Sequence, residues 1–158
     1  MSSEEYQLRQ LLPGEAIPYD LLLLADETKE AIDKYIHDSD IYTVYGKGHP
    51  DPIGVFALCM NRENEIEIKN IAILESFRGC GIGTFLLEKI DEIASRRKYQ
   101  TIIVGTGDAG AREIRFYEKN GFVKFDIIKD FYIHNYTAPI TENGTMLKDM
   151  VMLKKQIR

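Results

Sequence analysis

The clearest patterning lies in the middle of the chain. From Glu65 to Lys69, the charged residues Glu65, Glu67 and Lys69 alternate with Ile66 and Ile68. A period of two is that of a strand with one apolar and one charged face. At Asn70-Ile71-Ala72-Ile73-Leu74 the alternation gives way to an apolar run, which predicts a bulge or deeper burial near Asn70. Glycines at 79, 81 and 83 then punctuate the chain. Beyond them Ile82, Phe85, Leu86, Ile90, Ile93 and Ala94 recur at helical spacing. The helix predicted over 81–98 ends in Arg96-Arg97-Lys98, cations that suit the negative end of a helix.

The flanks read less sharply. Glu5 to Leu11 is a first strand, and Pro13-Gly14 a turn. Pro18 opens a leucine-rich helix over Tyr19 to Ala25, and Asp26 is placed to cap a second helix to Ile36, with Ile32, Tyr35 and Ile36 on one face. Ile41 to Tyr45 and Ile53 to Met60 form a hairpin across the turn formers of 46–52. Thr101 to Val104 is a short buried strand. A helix reaching Lys119 is stopped by Asn120-Gly121, and strands Phe122 to Ile128 and Met146 to Leu153 close the chain around an irregular stretch. Early hairpins and a central β-α-β crossover imply an α/β (α+β) fold, a mixed sheet with helices on both faces. With no repeat or linker, residues 1–158 read as one domain.

Charge and composition narrow the function. A net charge of −5 argues against a nucleic-acid partner and mildly favours a cationic one. The acidic start MSSEEYQL has no apolar core, and no apolar run approaches the roughly 20 residues of a membrane span, so the expectation is a cytoplasmic protein without a membrane partner. Cys59 reads as core and Cys80 as a small loop residue. With His37, His49 and His134 scattered, no metal site is expected.

A glycine-rich turn opening a helix binds anions, because glycine lets the backbone come close and the first helical N–H groups are unpaired. The spacing is not that of a Walker loop or a dinucleotide fingerprint. Arg78-Gly-Cys-Gly-Ile-Gly after Ile-Ala-Ile, followed some 30 residues on by Phe116-Tyr117-Glu-Lys-Asn-Gly121-Phe122, resembles the GNAT superfamily of acetyl-CoA-dependent N-acetyltransferases, and within it a bacterial group of small members. The resemblance covers nearly the whole chain. It implies a mostly antiparallel sheet splayed between its fourth and fifth strands, with acetyl-CoA as cosubstrate.

The resemblance also assigns roles. Ile71, Ala72 and Ile73 would bind pantetheine through their backbone; Gly79, Cys80, Gly81, Ile82, Gly83 and Thr84 would wrap the pyrophosphate, with Arg78 as a flanking cation. Tyr117 would be the general acid for the departing thiolate, since a phenol is protonated at neutral pH. Where protein N-terminal acetyltransferases carry a glutamate and an asparagine, this chain has Gly105 and Gly110. The base is instead expected at Glu67, four residues before Ile71, on a face shared with Glu65; Asp108 is the alternative, or simply a helix cap. Residues 13–40 and 130–145 would meet the acceptor, a small-molecule or peptide amine. A homodimer stays open, and a catalytically silent coenzyme A-binding module is the competing function.

Overall fold

The alternation in the central segment continues through the apolar run. Strand β4 (Glu65–Ile73) alternates half-buried and buried at every position, so Ile71 and Ile73 keep to the face of Glu67 and Lys69. Asn70 falls on the buried face and is 4% exposed, the deeper burial of the two expected alternatives. The protein, here a computed structural model, is described over residues 5–157. Part of the acidic start, residues 1–4, lies outside the described residues.

Two compact units divide the chain. One runs up to Met60 and takes in Ile68–Glu92; the other holds Asn61–Glu67 and the chain from Ile93 on. In the first, β1 (Tyr6–Gln10), β2 (Asp40–Gly46) and β3 (Gly54–Arg62) pair antiparallel in chain order, the expected hairpin included. Helices α1 (Tyr19–Leu22) and α2 (Lys29–Asp33) bury Leu21, Leu22, Ala31 and Ile32. Of these, Leu21, Leu22 and Ile32 join Ile36, Ile41, Val55, Ala57 and Ala72 in an apolar cluster.

Both helices are shorter than expected. The cap of α2 is Thr28, whose hydroxyl accepts from the Ala31 N–H at 3.1 Å, and not Asp26. Asp26 is engaged elsewhere, one carboxylate oxygen accepting from the Glu27 N–H and the other from the Tyr35 hydroxyl. Helix α3 (Ile82–Arg96) buries the six apolar residues whose spacing predicted it.

In the second unit, β5 (Thr101–Gly107) extends three residues beyond Val104 because β9 (Met150–Gln156) pairs with its whole length, Thr101 opposite Gln156 and Gly107 opposite Met150. Strand pairing overrides the low strand preference of Gly105 and Gly107. Helix α4 (Ala111–Lys119) ends at the expected Asn120-Gly121. β6 (Val123–Ile128) is the other partner of β9, with a bulge between Lys124 and Asp126. The irregular stretch holds α5 (Phe131–Asn135) and a small hairpin of β7 (Thr141–Glu142) and β8 (Thr145–Met146), so the last long strand begins at Met150 and not Met146. Among the described residues no helix is long and apolar enough to cross a membrane.

Candidate active site

After β4 the chain makes one 3-10 turn, Glu75–Phe77, and enters the glycine loop. Arg78, Gly79, Cys80 and Gly81 are exposed. Gly79 and Gly81 have φ of +78° and +81°, a left-handed conformation that disfavours side chains. A Cβ at either would meet no atom within 4 Å, so packing against the protein does not account for these glycines. Helix α3 starts at once: the Phe85 N–H bonds the Gly81 carbonyl at 3.1 Å, and the first turn carries no acidic residue. The N–H groups of Ile82, Gly83 and Thr84 therefore lack partners within the helix and point outward. Open glycines, outward N–H groups and the exposed Arg78 fit a pyrophosphate. Cys80 sits in this loop with its thiol 3.9 Å from the Arg78 carbonyl, whereas Cys59 is buried against the Ser39 hydroxyl at 2.9 Å.

Leading into the loop, Ala72 is buried and Ile71 and Ile73 are half-exposed. Leu74 closes a cleft of about 400 Å³ with Ile17, Pro18, Tyr19, Asp20, Leu21 and Pro52. The lining is apolar except for Tyr19 and Asp20. Tyr19 is already committed, its hydroxyl to Asp33 at 2.5 Å and its ring under the Lys29 ammonium at 4.8 Å. The exposed Asp20 supplies the cleft with negative charge.

The remaining candidates belong to the second unit. Tyr117 is 6% exposed, with Phe122 edge-on at 5.5 Å and Phe116 at 5.2 Å. Burial, and secondarily the charge of Glu113, push its phenol above the ordinary range, so it holds its proton throughout physiological pH. Glu67 is half-buried on the face of Glu65 and Lys69, and Glu65 lies 3.8 Å from the Arg62 guanidinium. Asp108 does not cap α4. Gly110 holds the cap position, and the Asp108 carboxylate accepts from the Lys148 N–H at 3.1 Å.

Gly105 has a structural reason that the sequence did not disclose. A Cβ there would lie 2.4 Å from the Met150 sulfur and 2.9 Å from the Met152 sulfur. Methionine thioethers from β9 occupy the place a glutamate side chain would need. At Gly110 a Cβ would come within 3.0 Å of the Gly107 carbonyl. Sequence reasoning expected burial near Asn70 but gave its amide no role. Its one signal was an amide standing where the period of two demands a buried residue.

Known proteins resemble this chain over most of its length. Residues 7–122 match the acetyltransferase (GNAT) family. The uncharacterized N-acetyltransferase YvbK of Bacillus subtilis is 37% identical over 135 residues, 85% of this chain and 86% of that protein. A GNAT family acetyltransferase from Elizabethkingia anophelis, solved with acetyl-CoA bound, superposes with a TM-score of 0.92 at 36% identity, covering 98% of this chain and 100% of the other. The IAA acetyltransferase from Bacillus cereus gives 0.88 at 35% identity, covering 96% and 99%. The fold is thus the mixed, mostly antiparallel one expected, and the chain belongs to the acetyltransferase (GNAT) family.

Proposed function

We propose that this chain is a single catalytic domain that moves the acetyl group of acetyl-CoA to the primary amine of a small molecule or peptide. The observation that carries the coenzyme half is the pair Gly79 and Gly81, left-handed and open, at the start of α3. Acetyl-CoA supplies an activated acyl carbon; a C–N bond forms to the acceptor as the C–S bond breaks, the nitrogen losing a proton and the sulfur gaining one. The loop residues 79–84 hold the pyrophosphate through N–H groups, with Arg78 adding charge. The backbone of Ile71, Ala72 and Ile73 pairs with the amides of pantetheine in the manner of an added strand.

Tyr117 donates its proton to the thiolate. Burial keeps the phenol protonated, so it has a proton to offer the sulfur and cannot serve as the base, while the same upward shift makes it a weaker acid than an ordinary phenol. Glu67 takes the ammonium proton, directly or through water. The cleft beside Leu74 receives the acceptor, Asp20 attracting its cation while Ile17, Leu21 and Pro52 cover an apolar body. No metal takes part, and no nucleic acid or membrane is engaged.

The test is a thiol-release assay with acetyl-CoA across spermidine, glucosamine, an aminoglycoside, phenethylamine and a peptide with a free N-terminus. Turnover with at least one is expected. Tight acetyl-CoA binding with no turnover on any would favour the coenzyme A-binding module instead.

A further inference from the structure

Asn70 is the one fully buried amide side chain on β4, and its bonds all run in one direction. Its Nδ2 donates to the Leu22 carbonyl at 3.0 Å and to the Tyr35 hydroxyl at 3.1 Å; the Tyr35 hydroxyl donates to Asp26 at 3.0 Å. The directions are forced, because a carbonyl and a carboxylate only accept. The Leu22 carbonyl also takes the N–H groups of Ala25 and Asp26, so the turn after α1 is wound about a single oxygen. Asn70 ties that oxygen, the end of α2 and the loop between the two helices to the residue directly before Ile71.

The arrangement is costly in one respect. Asn70 Oδ1 is buried and has no hydrogen-bond partner among the described residues. A buried acceptor left empty is a penalty that an apolar residue at the same place would not carry. Nor do Asn70's partners depend on it: Leu22 retains two N–H donors and Tyr35 retains Asp26. Bond satisfaction alone therefore does not account for asparagine here.

We propose that Asn70 is a positioning residue that holds the α1–α2 segment, and with it the cleft walled by Ile17, Pro18, Tyr19, Asp20 and Leu21, in register with the strand that binds the coenzyme. This rests on the reading of Ile71–Ile73 as the coenzyme strand and of the cleft as the acceptor site. Burial raises the Tyr35 phenol well above its ordinary range, so the hydroxyl keeps its donor role to Asp26 at any working pH.

Asn70→Leu removes both donors and the orphaned acceptor together. The thermal midpoint should hold to within about 2 °C or rise, and acetyl-CoA affinity measured by calorimetry should stay within about twofold. Amide hydrogen exchange over residues 19–35 should quicken by about tenfold or more with the rest of the chain unchanged. With any amine that the wild-type enzyme acetylates in the thiol-release panel, acceptor KM should rise by about tenfold at nearly constant acetyl-CoA KM. Tyr35→Phe, which keeps the ring, should move the same readouts in the same direction by less. Exchange over 19–35 unchanged in Asn70→Leu, or a lowered midpoint with exchange quickened throughout the chain, would overturn the proposal. If the wild type acetylates none of the panel, the acceptor reading fails by itself, and the exchange measurement still decides the role of Asn70.

Discussion

Two glycine-rich stretches of this chain look alike on paper and differ in space. In the loop of residues 78–84, Gly79 and Gly81 are left-handed and a Cβ would meet nothing. In the strand and turn of residues 105–110, none of Gly105, Gly107 and Gly110 has a left-handed φ, yet a Cβ at each would come within 3.0 Å of another atom: a methionine sulfur, a Leu147 methyl and a backbone carbonyl. The first set is glycine because the backbone is left-handed there, and it leaves the loop open to an approach from outside. The second is glycine because of what the protein has already placed there. A backbone that must turn left-handed and a backbone that others crowd leave the same letter, and only the surroundings tell them apart.

The contrast breaks if loop substitutions act on stability or strand substitutions act on the coenzyme alone. The largest effect is expected from Gly81→Asp, which sets a carboxylate where the proposed function puts the pyrophosphate: acetyl-CoA affinity should fall by about 10²-fold or more, roughly 3 kcal/mol, in a chain that still melts cooperatively. Near-native affinity by calorimetry would move the phosphate site elsewhere. Tyr117→Phe keeps the ring packing against Phe122 and removes the donor, so kcat should fall by on the order of 10²-fold with acetyl-CoA affinity retained. A loss of melting temperature at unchanged kcat would make Tyr117 a packing residue of the second unit.

Gly105→Ala sharpens the other side. Crowding against Met150 and Met152 should cost about 1–3 kcal/mol, seen as a fall in midpoint of several degrees, and adding Met150→Ala should recover part of it. If Gly105→Ala melts as the wild type, the thioethers yield freely and the packing explanation fails. Glu67→Gln should lower kcat/KM by about tenfold at neutral pH and by less as pH nears the amine pKa, where free amine is abundant. A rise in KM alone would make Glu67 an attractor of the cation, and a profile overlaying the wild type would redirect attention to Asp108.

The smallest effect tests burial of the phenols in both units. Tyr35 and Tyr117 have folded-state pKa values raised above the ordinary phenol, chiefly by desolvation. Their stabilisation is fully present below about pH 10 and is lost as pH rises from there toward their folded values, because the unfolded chain gives up those protons first. The melting temperature should decline above about pH 10, and Tyr117→Phe should flatten the decline. An unchanged slope would mean that the phenol is not buried in solution.

Much was legible before any coordinates. The periodicity from Ile82 to Ala94 named the buried face of α3, because six apolar residues at helical spacing admit one amphipathic solution. Asn120-Gly121 marked the end of α4 for a similarly local reason. The boundaries that failed were decided by partners outside the element itself. β5 ran on to Gly107 because β9 was there to pair with it, and Asp26 lost the cap to Thr28 because Tyr35 claimed its carboxylate. The β7–β8 hairpin had a usable signal in Asn143-Gly144, both left-handed here as a tight hairpin turn requires, but its flanking strands are only two residues long.

By itself the sequence determined the order of the central elements and the family, because those depend on spacing within a few turns of chain. Tertiary structure alone decided why Gly105 is glycine, that Asp108 holds the Lys148 backbone instead of capping a helix, and that Asn70 reaches Leu22 and Tyr35 across 48 and 35 residues. Such contacts carry no periodicity. They exist only once the chain has folded and brought a donor and an acceptor from distant segments within bonding distance.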